Sequence, residues 1–302
     1  MFTLAHLSDI HLGPLPRPPF RLLRGKRIIG YANWLRGRRR IHHRPVLDAI
    51  TADLRAQAPD HIAVTGDLVN IGLPAEYIAA GDWLRELGSA FDVSVIPGNH
   101  DAYVPMADEH GIGLWSEFMT TDIDLSFTPA PNRGRFPYVR VRGPIALVGL
   151  STALATPAFN AWGRLGEEQL KPLPGILDRL AAEKRFRVVL IHHPPLPGMT
   201  SSRRALSDAA KFEEIIAGAG AELVLFGHNH RSVLASAKGP SGAVPLVGVP
   251  SASATGPANQ EGRYNIYRIE GNADGWRCEM TTRAWRRGDG QVVEIDRREL
   301  QY

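Results

Sequence analysis

Five times in this 302-residue chain an apolar run stops at a cluster drawn from Asp, Asn and His. Residues 3–8 end at Asp9-Ile10-His11, residues 61–65 at Gly66-Asp67, and residues 93–96 at Pro97-Gly98-Asn99-His100-Asp101. Residues 187–191 end at His192-His193, and residues 223–226 at Gly227-His228-Asn229-His230. A buried strand that presents an amide, an imidazole or a carboxylate at its end must supply polar partners for it. One such end is a polar turn. Five of them, all using the same metal-ligating side-chain types, indicate strand ends that converge on one place.

The intervening segments support a sheet that could bring them together. Val46, Leu47, Ile50 and Leu54 fall at helical spacing, as do Tyr77, Ile78, Trp83 and Leu84 within 74–87. The first three runs therefore alternate with helices as βαβαβ, which predicts a largely parallel arrangement. In open α/β sheets ligands gather beyond the carboxyl ends of the strands, where Asp9, His11, Asp67, Asn99 and His100 all fall. Asp9 and His11 are two apart, so along a strand they point the same way.

Mixed carboxylate, imidazole and amide oxygen suits divalent Mn, Fe, Zn or Co. Cys278 is the only cysteine, which excludes a thiolate cluster and an internal disulfide. The donors outnumber what one ion with an open position would use, so two ions are expected.

Charge is unevenly placed. Ten Lys or Arg and no acid lie between Arg17 and Arg44, so in a chain of net charge +4 the remainder is acidic by six charges. The basic stretch interleaves Phe20, Leu22, Leu23, Ile28, Ile29, Tyr31, Trp34 and Leu35 with its arginines. Gly25 and Gly30 are expected to break it into one or two short amphipathic helices. A flap packed on the body, a lip over an anionic substrate and a membrane-surface contact all fit this composition. The chain starts without a basic leader, and no run approaches the roughly 18 apolar residues of a spanning helix. A cytoplasmic protein is expected, with peripheral membrane attachment as the variant that the basic stretch suggests.

Further along, the pattern weakens over 102–137, where Trp115, Phe118 and Met119 share one helix ahead of a Pro-rich loop that could be a lid or a connector. Residues 138–142 and 145–150 read as a hairpin, 165–184 as a helix interrupted by Pro172 and Pro174, and 208–217 as a helix. Strands are expected over 245–249, 264–269, 276–282 and 291–295, the second half-exposed because its residues alternate.

The five blocks resemble the signature of the calcineurin-like metallophosphoesterases, most closely in Ser8-Asp9-Ile10-His11-Leu12-Gly13, Gly98-Asn99-His100-Asp101 and Gly227-His228-Asn229-His230. The resemblance covers roughly residues 1–255 with the motifs in order. It implies a four-layer fold, two mixed β-sheets packed face to face and flanked by helices, in a single domain spanning 1–302. Within it, 17–44 is a basic amphipathic insertion and 256–302 contributes C-terminal strands.

It also implies ligands: Asp9, His11, Asp67 and His230 for one ion, and Asp67, Asn99, His192 and His228 for the other, with Asp67 shared. His192 is the expected ligand because it follows directly on its strand, and His193 is the alternative. His100 would contact the phosphoryl group beside Asn99 and protonate the leaving group, with Asp101 orienting its ring. A metal-activated hydroxide is the expected nucleophile. Arg203 and Arg204 are candidate phosphate clamps, equally readable as solvated loop charges.

The resemblance ranks a small phosphodiesterase of the cyclic-nucleotide type first. A nucleotide-lipid pyrophosphatase acting on a UDP-diacylglucosamine-like substrate at a membrane comes second, and a DNA nuclease third. The acidic remainder offers no second basic groove to follow a duplex, so no stable nucleic-acid partner is expected.

Overall fold

The computed structural model describes residues 1–122, 136–256, 260–272 and 275–301. Most of the Pro-rich loop expected before residue 137 lies outside these described residues.

The first sheet contains β1 (Phe2–Leu7), β2 (His61–Val64), β3 (Val93–Val95), β10 (Arg263–Asn272), β11 (Gly275–Trp285) and β12 (Val292–Glu299), in the order β12-β11-β10-β1-β2-β3. The strands β1, β2 and β3 are parallel, joined through α1 (Lys26–Arg36) with α2 (Arg44–Ala56), and through α3 (Pro74–Leu87). The remaining three run antiparallel, so the sheet as a whole is mixed.

The second sheet has the order β4-β5-β6-β7-β9-β8, from β4 (Tyr138–Arg142), β5 (Ile145–Gly149), β6 (Phe186–Leu190), β7 (Leu223–Phe226), β8 (Val233–Lys238) and β9 (Ala243–Gly248). Its β5, β6, β7 and β9 are parallel. Helices α4 (Glu167–Leu170), α5 (Leu173–Ala182) and α6 (Ala209–Ala219) complete the chain.

Period-two alternation divides the second sheet between two cores. Leu147, Val188, Leu190, Leu223 and Leu225 join the cluster that holds Leu4, Tyr267 and Ile269 of the first sheet. The intervening Val148, Val189 and Val224 pack with Leu173, Leu177 and Leu180 of α5 and Phe212 and Ile216 of α6. Each fully buried aliphatic side chain of this kind stabilises the fold by about 1.5–3 kcal/mol. On the far side of the first sheet, α2 contributes Val46, Leu47, Ile50 and Leu54. The layers are thus helix, sheet, sheet, helix.

Three expectations change. Residues 264–269 of β10 are not half-exposed: α2 covers one face, where the Tyr264 hydroxyl donates to Asp53, and the second sheet covers the other. Asn265 is buried there because its amide oxygen accepts from Thr282 and its nitrogen donates to the Tyr267 hydroxyl. Gly30 does not interrupt α1. It is the buried point at which the helix presses against the body, and a Cβ there would overlap Tyr103 and Ile71. Strand β8 was not foreseen, because residues 233–238 alternate weakly and pair only at the sheet edge.

The basic segment is packed on its inner side. Leu22, Tyr31 and Trp34 lie against Leu15, Ile71, Leu73 and Tyr103. Arg27 donates to the carbonyls of Ile71 and Gly72, and Lys26 to Thr156 Oγ1.

Candidate metal centre

The clusters at the five strand ends meet where the carboxyl ends of the two sheets face each other. Asp9 and His11 follow β1, Asp67 follows β2, and Asn99 and His100 follow β3 of the first sheet. His192 follows β6, and His228 and His230 follow β7, of the second. The ligand atoms of Asp9, His11, Asp67 and His230 lie within 4.8 Å of one another, and so do those of Asp67, His192 and His228. Asp67 belongs to both groups.

The backbone is bent to achieve this. Among the described residues eight non-glycine residues have positive φ, and five of them are Asp9, His11, Asp67, His228 and His230. Such conformations cost about 1–3 kcal/mol each and persist where surrounding contacts impose them. Here the amides of Asp9 and His11 donate to the carbonyls of Gly66 and Asp67 at 2.9 Å, and the amide of His228 donates to Asp9 Oδ2 at 2.9 Å. Close approach also demands Gly98, where a Cβ would strike the Asp67 carboxylate and the His192 ring.

Hydrogen bonds fix which nitrogen each ring presents. His11 Nδ1 lies 3.2 Å from the Val69 carbonyl, leaving Nε2 directed at Asp67 Oδ2, 3.8 Å away, and at His230 Nε2, 3.3 Å away. Burial, then His42 and Arg38, hold the His11 pKa well below its usual value, so the ring is neutral. A neutral imidazole donating through Nδ1 turns a lone pair toward a carboxylate. That contact is repulsive unless a cation lies between them.

His192 donates through Nδ1 to the Thr65 carbonyl and brings Nε2 to 3.5 Å from Asp67 Oδ2 and 3.2 Å from Asn99 Oδ1. His228 places Nδ1 2.7 Å from Asn99 Oδ1, while its buried Nε2 has no hydrogen-bond partner. His230 Nε2 lies 3.1 Å from Asp9 Oδ1. Donor atoms about 2.0–2.2 Å from a shared ion are themselves about 3–3.5 Å apart, a range that holds four of these six spacings, with His228–Asn99 at 2.7 Å and His11–Asp67 at 3.8 Å just outside it. The residues therefore fit divalent cations.

The adjacent histidines separate cleanly. His193 places Nδ1 2.6 Å from Thr152 Oγ1 and Nε2 2.9 Å from the Ala161 carbonyl, so neither nitrogen faces Asp67.

Asp101 does not orient the His100 ring. Its Oδ1 accepts from the amides of Leu68 and Val69, and its Oδ2 from those of Asp67 and Gly98. It ties the loop after β2 to the loop after β3. Burial and the Asp67 charge nevertheless push its pKa up to about 7. The His100 ring is held instead by the Asn70 carbonyl at Nδ1 and by Arg38, whose guanidinium lies 2.8 Å from Nε2. Burial and then Arg38 lower the His100 pKa to about 3. As arranged, Nε2 of His100 is an acceptor, and Arg38 supplies the N–H that faces it.

Arg38, His42, Asp67, Asn99, His100, Arg204, His228, His230 and Arg231 are among the residues lining a cleft of about 430 Å³. Arg204 donates to the His228 carbonyl at 2.7 Å. Both neighbouring arginines are exposed, but Arg203 is not among the lining residues, and there the two part.

Arg38 and His42 were not foreseen as site residues. Both come from the basic segment, with no strand attached to mark them. The His42 ring, held by Ser253 and Ser251, lies 4.5 Å from that of His11 between centroids. The adjacent pair His42-His43 just before α2 was the available signal.

The sequence model of the calcineurin-like phosphoesterase family matches residues 2–232. A Synechococcus protein named as a probable cyclic nucleotide phosphodiesterase is 29% identical over 196 residues, covering 63% of this chain and 65% of its own length. The chain thus spans slightly under two thirds of that curated relative. A dimetal phosphatase of Danio rerio superposes with a TM-score of 0.64 at 14% identity, covering 97% of this chain and 98% of that one. A purple acid phosphatase from yellow lupin seeds gives 0.53 at 13% identity, covering 97% of this chain and 52% of its own. At such identities the two superpositions establish the shared fold.

Proposed function

The chain belongs to the calcineurin-like phosphoesterases, and on that premise we propose that it hydrolyses small phosphodiesters, cyclic nucleotides among them, at a two-ion centre. Asp9, His11, Asp67 and His230 would hold the first ion, and Asp67, Asn99, His192 and His228 the second. The observation that carries this reading is the position of Asp67, whose ligand atoms fall within both groups of donors. When bound there, two divalent cations would neutralise phosphoryl oxygens and lower the pKa of a water toward neutrality. Mn, Fe, Zn and Co all suit this donor set.

The chain's own residues supply the rest. Arg38 and Arg204 flank the cleft and offer guanidinium N–H groups to phosphoryl oxygens. His100 positions Arg38 through Nε2 and lies against the same place. Asp101 fixes the loops that carry Asp67, Asn99 and His100. The name of the Synechococcus relative supports a cyclic phosphodiester as substrate.

A second reading, a nucleotide-lipid pyrophosphatase, is favoured by Ile41, an exposed apolar side chain that lines the cleft from the basic insertion. Metal analysis combined with turnover of bis(p-nitrophenyl) phosphate, a cyclic nucleotide, a UDP-linked lipid and single-stranded DNA tests the proposal. We expect two ions per chain and preferential turnover of the small diesters. Two ions per chain with no hydrolysis of any diester would overturn it.

A further inference from the structure

Helix α1 is apolar on two sides, and only one of them is covered. Gly30, Tyr31 and Trp34 face the body. On the flank beside them Ile28, Ala32 and Leu35 follow one another at i, i+4 and i+7, with Ile28 54% and Leu35 38% exposed. Just before the helix Phe20 is 89% exposed, and just after it Ile41 is 43% exposed. Among the described residues, four of the ten exposed large hydrophobics thus fall within 22 consecutive positions.

The same stretch carries exposed Arg17, Arg21, Arg24, Arg36, Arg39 and Arg40. Among the described ion pairs none involves these six, and no acid lies between Arg17 and Arg44 to neutralise them. An uncovered apolar stripe bordered by unpaired arginines fits a surface that is anionic at its face and apolar just beneath. That is the interface of a bilayer containing anionic lipid. A nucleic-acid backbone would satisfy the arginines and leave Phe20, Ile28 and Leu35 in water. Among the described residues no helix is long and apolar enough to cross a membrane.

We propose that residues 17–41 form a docking surface for anionic membranes, with Phe20, Ile28 and Leu35 entering the interface and the arginines engaging lipid phosphates. The segment also lines the cleft through Arg38, Ile41 and His42, so docking holds the cleft beside the lipid surface. The inference does not depend on which ester is hydrolysed.

Co-sedimentation of the full chain, without substrate, with phosphatidylcholine vesicles and with vesicles that also contain phosphatidylglycerol tests it. Three proteins are compared: wild type, Ile28→Ser with Leu35→Ser, and Arg36→Gln with Arg39→Gln and Arg40→Gln. Melting curves establish that each is folded. We expect wild type to bind only the anionic vesicles and to be released by salt. Each lost arginine should weaken binding about fivefold, and the serine pair should weaken it roughly tenfold or more. Recovery of wild type in the supernatant would overturn the proposal, as would equal binding to neutral vesicles. Unchanged binding by the folded serine pair would overturn the apolar half of the surface. Binding to an oligonucleotide but not to vesicles would replace lipid with nucleic acid.

Discussion

Asp67 and His192, which follow strands of different sheets, meet with the carboxylate Oδ2 3.5 Å from the ring Nε2. Burial alone would drive His192 toward neutrality, but the charge and hydrogen bond of Asp67, the Asp9 charge and the Thr65 carbonyl together outweigh it and leave the pKa at about 9. The ion-free protein therefore holds a proton where the second cation would bind. Below about pH 9 that proton must leave on metal binding, so affinity should rise about tenfold per pH unit across neutrality if one proton is displaced. Calorimetry in buffers of different ionisation enthalpy checks this, and His192→Ala should abolish the release. Affinity independent of pH would contradict it.

Asp67→Asn should weaken both positions, because the amide keeps only one neutral oxygen for a site that two ions share. Metal content should fall from two to at most one ion per chain, and diester turnover by at least about 100-fold. Elemental analysis beside an activity assay decides the matter. Full occupancy by two ions would remove the shared role.

His193 and Asp101 should behave as structural residues. His193→Ala should keep two ions yet lower stability by about 1–3 kcal/mol, since Thr152 Oγ1 and the Ala161 carbonyl lose a buried partner. Asp101→Asn turns an NH₂ group toward backbone donors and should cost about 2–4 kcal/mol. Denaturant unfolding with metal analysis separates these effects, and loss of one ion in His193→Ala would reverse the assignment to His192.

Arg38→Ala should lower kcat/KM for a small diester by about 10–100-fold while metal content and melting temperature stay put. Arg38→Lys should recover only part of this, because an ammonium cannot reproduce the planar fork. Unaltered kinetics in the alanine variant would show that Arg38 merely covers His100.

Much of the centre was readable because each donor sits within a few residues of a strand whose apolar run announces it. Asp9, Asp67, Asn99, His192 and His228 could be placed at strand ends before any geometry was known. Arg38 and His42 could not, since a packed insertion brings them to the cleft from sequence with no strand register. Gly30 was misread because a glycine that breaks a helix and one that lets a helix touch its neighbour look alike in sequence. The side chain of Tyr103, far along the chain, decides between them. The two-sided burial of β10 was hidden by Asn265 and Arg268, whose polarity reads as exposure until their hydrogen bonds to Thr282 and Thr281 are seen.

The pairing of β1 with β10 joins Phe2 to Ile269, while β2 occupies the other edge of β1. During synthesis, the strand that leads into Asp9 and His11 gains β2 early, yet its other flank stays unmatched until β10 has followed. A nascent chain stalled before residue 263 would expose that flank to any passing strand, with every proposed donor already made but the β1 edge beneath Asp9 and His11 unbraced.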